Sequence, residues 1–258
     1  MRFKEILIIT KGTKVILVIT FSVAISAVLF AYFYYRGINN SGDPRIAKAR
    51  EYLMHYENES GRINSFGLFS YLDSAYAIFR SFPDYETSFE IGLIYNNKCS
   101  ALLLTAIYDS TVHETERNNL LNLSLKYCDS SITNYQNWMK EWEGLTPEFI
   151  SARIDPFMKK ENPAFRGNNF KRIFKRRVEN IVTAQIETPR RLSVSLTNKG
   201  IIYRHKMKTD SALIFYQMAL ALWKDNRTAK SNMNVLLGGE PVKPSLIESL
   251  FPPDKNKK

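Results

Sequence analysis

The chain is poor in the residues that catalytic and metal-binding proteins concentrate. Among 258 residues there are 3 histidines and 2 cysteines. His55, His113 and His205 lie far apart, with no His-Glu-x-x-His pattern and no Cys-His grouping beside them. No metal site, cofactor site or catalytic residue is expected from such a set. Cys99 and Cys128 are too few for a disulfide framework. A bridge between them requires an oxidising compartment, and two reduced, buried thiols on apolar helix stripes are the expected state. Gly238-Gly239 is not followed by Lys and Ser or Thr, so a phosphate-cradling loop is excluded. Nowhere does apolar–polar alternation stand between hairpin turns, which excludes a β fold and leaves an all-α protein.

Acidic residues are also in deficit, 25 against 36 Lys and Arg, for a net charge of +11. The deficit is uneven. Residues 37–145 carry 9 basic and 14 acidic side chains, whereas residues 146–191 and 192–258 each carry 11 and 5. An acidic N-terminal half and a basic C-terminal half suit an acidic partner or an anionic surface. An unevenly charged but merely solvated surface is the alternative.

One long run lacks charge, Pro and Gly altogether. It covers residues 15–35, opens at Val15, is bracketed by Lys14 and Arg36, and closes on Tyr32-Phe33-Tyr34-Tyr35. As a helix it would be roughly 32 Å long, close to the roughly 30 Å hydrocarbon core of a bilayer. Its aromatic end suits the membrane–water interface. A cleaved signal peptide would have a shorter apolar stretch and small residues at the cut. The expectation is therefore a single transmembrane helix after a basic tail, residues 1–14. Arg2, Lys4, Lys11 and Lys14 crowd that tail and favour a cytoplasmic N-terminus, with the main domain outside or periplasmic across a plasma or inner membrane.

Residues 36–44 read as a linker ending in Pro44. Helical periodicity then recurs. It marks residues 45–57, then a stripe of Leu72, Ala75, Tyr76, Phe79 and Phe82 stopped by Pro83, then a helix over about 86–109. The longest stripe runs from Leu120 through Ser124, Cys128, Ser131, Tyr135 and Trp138 to Trp142, and Gly144 and Pro147 close it. Residues 146–169 are broken by Pro147, Pro156, Pro163 and Gly167 and read as a connection. Beyond them come an amphipathic helix over residues 170–182 and further helices at about 190–205, 208–224 and 227–237. A Pro- and Lys-rich tail occupies residues 238–258. The polar face of the 170–182 helix has Lys171, Arg172, Lys175, Arg176 and Arg177, a candidate contact for anionic lipid or another polyanion. Nucleic acid is disfavoured, because Phe170 and Phe174 belong to the apolar face and leave no rings for base stacking.

Within residues 193–226, Gly200, Tyr203, Ala212, Tyr216 and Ala219 follow one another at offsets of 3, 9, 4 and 3. Small residues at that spacing let two antiparallel helices cross closely, with rings filling the gaps. This resembles the tetratricopeptide repeat, which places Gly, Tyr, Ala, an aromatic and Ala at those offsets. The departures are Leu196 for the family's Trp, Lys199 for its Leu and Lys224 for its Pro. A weaker copy starts at Gly92, where Gly92-Leu93-Ile94-Tyr95 parallels Gly200-Ile201-Ile202-Tyr203. Its downstream half, aligned on Leu104, Tyr108 and Val112, departs from the pattern. A third echo, Asp73-Ser74-Ala75, matches Asp210-Ser211-Ala212. Residues 45–145 are thus a degenerate repeat-like region, and residues 227–237 a capping helix.

The resemblance implies an α-solenoid whose concave groove is lined by the first helix of each repeat. Thr197, Ile201 and Arg204, with Ser231 from the next unit and Phe89, Leu93 and Asn96 from the weaker copy, would then face a protein or peptide partner. The function implied is a non-catalytic, membrane-tethered scaffold. A lipid- or polyanion-binding accessory module and an enzyme with unrecognised chemistry stay open beside it, as does a plain bundle with one repeat-like hairpin.

Overall fold

The computed structural model describes Thr20, Phe21, Ile25 and residues 42–60, 65–167 and 169–243. Among them lie eight α-helices, three short 3-10 helices and no strand. The helices are α1 (Ala47–Glu59), α2 (Phe69–Arg80), α3 (Phe89–Tyr108), α4 (Glu114–Trp142), α5 (Pro147–Ile154), α6 (Phe170–His205), α7 (Thr209–Leu222) and α8 (Arg227–Leu236).

The expected membrane helix is corrected. Among the described residues no helix is long and apolar enough to cross a membrane. The longest, α6, carries charges along its whole length. Residues 15–35, except Thr20, Phe21 and Ile25, lie outside the described residues. The single-pass placement, the cytoplasmic N-terminus and the outside domain all rested on that span and are not carried further.

Consecutive helices pack as antiparallel hairpins. The pairs are α1 with α2, α3 with α4, and the C-terminal half of α6 with α7. Each second helix also packs on the next first helix: α2 on α3, α4 on α6, and α7 on α8. The first helices α3, α6 and α8 also touch in order, so they line one face. Side-chain caps fix several starts. Asn169 Oδ1 accepts from the Arg172 N–H at 3.2 Å to open α6, and Asn226 Oδ1 accepts from the Ala229 N–H at 3.0 Å to open α8. Gly144, at φ +74°, ends α4 in a conformation that β-carbon-bearing residues avoid.

Two close crossings organise the larger hairpins. A β-carbon added to Gly92 would stand 2.4 Å from the Tyr135 ring, and one added to Gly200 would stand 2.5 Å from the Tyr216 ring. Both rings are buried, and burial pushes the Tyr216 phenol up to about 12. Ser131 Oγ donates to the Gly92 carbonyl at 2.8 Å, so the helix facing Gly92 is small at its closest point. The partner of Gly92 is therefore α4, which accounts for the departure from the pattern at Leu104, Tyr108 and Val112. A turn is delayed there: Gly92 and Tyr135 stand 43 positions apart, Gly200 and Tyr216 only 16.

The expectation of reduced cysteines is also corrected. Cys99 and Cys128 form a fully buried disulfide that joins α3 to α4. The connection over residues 146–169 contains α5 and a 3-10 turn, Pro163–Phe165. Ile150, Ile154, Met158 and Phe165 pack there against Trp138 and Trp142 of α4 and Ile173 and Ile181 of α6. That packing keeps α6 continuous through Pro189, where two separate helices were expected. Gln185, one turn before the proline, donates to the Trp142 and Leu145 carbonyls at 2.9 Å each and fixes α6 to the end of α4.

Candidate functional site

A cleft of about 670 Å³ opens on the face lined by first helices. Leu103, Leu104, Ile107 and Tyr108 of α3 form one wall, Asn198, Ile201, Arg204 and His205 of α6 the floor, and Thr228 and Asn232 of α8 the other wall. Leu104 and Tyr108 are 48% and 65% exposed, which leaves apolar surface uncovered. Arg204 donates to Asn232 Oδ1 at 3.2 Å, so a cation and an amide close the α8 side. The His205 pKa is lowered by burial, and the positive charges of Arg204 and Arg117 add to that effect. Its imidazole is thereby kept neutral near pH 7.

Beneath the cleft a polar ladder ties the three helices together. Asn198 Nδ2 donates to Asn96 Oδ1 at 3.2 Å and to Ser100 Oγ at 3.0 Å. Ser195 Oγ stands 2.9 Å from Asn96 Oδ1 and 2.9 Å from Ser131 Oγ. Polar groups so paired, buried at Ser131 and Ser195 and half-buried at Asn96, Ser100 and Asn198, fix the register of α3, α4 and α6 and hold the floor of the cleft in place.

The residues expected to face a partner divide. Ile201 and Arg204 line the cleft. Asn96 lies below it in the ladder. Thr197 is only 2% exposed; its hydroxyl donates to the Ser193 carbonyl at 2.8 Å and accepts from Asn226 at 2.9 Å. Ser231 is half-buried, and its hydroxyl accepts from the Val242 N–H at 3.2 Å. Phe89 meets Trp138 edge to face at 6.0 Å, and Leu93 packs on the core shared by α1, α2 and α3. Sequence reading missed Leu104, Tyr108 and Asn198. The available signal was Leu102-Leu103-Leu104, a run that makes α3 apolar on more than one face.

The basic face of α6 is smaller than expected. Lys171, Arg172, Lys175 and Arg176 are exposed, and Arg176 lies 3.4 Å and Lys175 3.9 Å from Glu179. Arg177 is buried instead, its guanidinium 3.9 Å from the Tyr85 ring centroid and 3.8 Å from Glu90. It also donates to the Asp84 carbonyl at 3.2 Å. A side chain so enclosed is part of the packing between α6 and the loop before α3, and not a surface contact.

No family model, curated protein or solved structure matches the chain.

Proposed function

We propose that the chain is a non-catalytic helical-repeat scaffold, similar to tetratricopeptide proteins, that holds a peptide segment of a partner protein in its first-helix cleft. The observation that carries this reading is a single cleft shared by α3, α6 and α8, the first helices of successive packing units. The small-residue crossings at Gly92 and Gly200, each filled by a tyrosine ring, add support. Exposed Leu104 and Tyr108 ask for apolar anchors, and Arg204, in the basic half of the chain, asks for an acidic side chain beside them.

Selection of peptides from a random display library against the full chain tests the reading. Enriched peptides are expected to combine apolar and acidic residues, and to lose most of their affinity to the Leu104→Glu and Ile201→Glu variants. Raising salt should weaken them only modestly, because apolar burial is not screened. A library that yields no binder, or binders indifferent to both substitutions, would overturn the proposal.

A further inference from the structure

Past α8 the chain turns back on itself. Gly238 takes φ +84°, and the Gly239 N–H donates to the Asn234 carbonyl at 2.8 Å. The Val242 N–H then donates to Ser231 Oγ at 3.2 Å, and Arg227 donates to the Lys243 carbonyl at 2.9 Å. The contacts step from Asn234 to Ser231 to Arg227 as the chain advances, so this strap runs antiparallel to α8. Pro241 and Pro244 each bias the residue before them toward extended backbone, which suits the strap's course.

Val242 and Lys243 form one wall of a second cleft, of about 950 Å³. Its other walls are Val194 and Asn198 of α6, Thr228 of α8, and Trp223 in the turn between α7 and α8. The strap therefore leads into this cleft with 15 residues of the chain still to come. In extended backbone, alternate side chains share a face. Val242 lines the cleft, so a chain that continued extended would bring Pro244 and Leu246 to the same side. Leu246 is three residues beyond Lys243, a reach of about 10 Å in extended chain. Ile247, Leu250 and Phe251 continue the apolar character beyond it.

We propose that this cleft is the docking site of the chain's own C-terminal segment, entered first by Leu246. Asn198 and Thr228 line both clefts, so the docked segment narrows the first-helix cleft and competes with a partner peptide there. This competition rests on the scaffold reading; the docking itself does not.

The test uses the full chain with p-benzoylphenylalanine in place of Val194, a side chain 37% exposed and open to substitution. Irradiation and peptide mapping should find adducts within residues 244–251 of the same chain, in monomers. Adducts only between two copies, or none, would overturn the docking. Leu246→Asp in the labelled chain should remove most of the adduct, and an undiminished yield would equally overturn it. If the docked state is populated roughly nine-tenths of the time, Leu246→Asp should tighten a display-selected peptide about tenfold, because the competent fraction rises by that factor. An adduct with no change in peptide affinity would uphold docking and overturn the competition. A selected peptide that binds the cleft while no tail adduct forms would retain the scaffold reading and discard the tail.

Discussion

The α3–α4 hairpin and the α6–α7 hairpin make the same contact and differ in everything outboard of it. In both, a glycine admits a tyrosine ring from the facing helix, with a small residue, Ser131 or Ala212, four positions before the ring. The compact hairpin turns at once: Met207, seven positions after Gly200, takes φ +59°, and α7 begins two residues later. The long hairpin continues, and the residues at the corresponding level are Cys99, seven after Gly92, and Cys128, seven before Tyr135. The disulfide thus stands where the compact hairpin makes its turn. What a tight turn does for one hairpin, a covalent bridge does for the other, and residues 100–127 become an extension. That extension supplies Leu103, Leu104, Ile107 and Tyr108, the apolar wall of the cleft.

Removing the bridge should separate the two hairpins most. A cross-link between residues 29 apart removes unfolded-chain entropy equivalent to about 3–4 kcal/mol in the loop-closure account. Cys99→Ala with Cys128→Ala is expected to lower stability by that amount in urea melts. A loss well under about 1 kcal/mol would mean that helix packing alone holds the extension, and that the bridge is not the counterpart of the turn.

The glycines come next. An added methyl at Gly92 or Gly200 would meet ring carbons at 2.4 and 2.5 Å, far inside contact distance, so a buried ring must move. Gly92→Ala should cost about 1–3 kcal/mol. Gly200→Ala should cost less, because Tyr135 is packed between α3 and α6 in the middle of the array and Tyr216 lies in the last hairpin. Were either site open, replacing a helical glycine would instead stabilise by about 0.5–1 kcal/mol. The signs are opposite, so melts of the single variants decide. Pairing Gly92→Ala with Tyr135→Leu should give less than the sum of the two losses, since the smaller side chain leaves room for the methyl.

This contrast also explains what could be read from sequence. Helix content was legible, because Leu72, Ala75 and Phe79, or Ser131, Tyr135 and Trp138, repeat at helical spacing. The compact hairpin was legible as a unit, because its small and aromatic residues fall within one short window. The second hairpin was not, because fixed offsets from Gly92 land on Leu104 and Tyr108, inside the extension. The usable signal was local to the second helices: Ala75-Phe79-Phe82, Ser131-Tyr135-Trp138 and Ala212-Tyr216-Ala219 share spacings of 4 and 3. The cleft was legible only at Ile201 and Arg204. Its other wall exists because the extension brings Leu104 and Tyr108 beside α6, which no single helix pattern encodes. Arg177 was misassigned to the polar face because its ring partner, Tyr85, lies in a loop before α3. The apolar run of residues 15–35 met the length rule for a membrane span, yet the described residues contain no such helix.

The smallest expected effect concerns the place where the two hairpins meet outboard of their crossings. His205, two residues before the compact turn, lies in a pocket lined by Ala106 and Ile107 of α3 and by Glu114, Arg117 and Leu121 of α4. Burial lowers its pKa below the ordinary 6.5, and the charges of Arg204 and Arg117 lower it further. A histidine whose folded pKa is depressed binds fewer protons folded than unfolded. Stability from this group is therefore complete above pH 6.5, its unfolded value, and declines as pH falls through the lower folded value. The imidazole is still partly in contact with solvent, so the decline should be slight. His205→Gln should flatten it, leaving stability above pH 6.5 nearly unchanged and the acid side less steep. A pH profile identical in the parent and His205→Gln chains would mean that the charge on His205 plays no part in holding the extension against the compact turn.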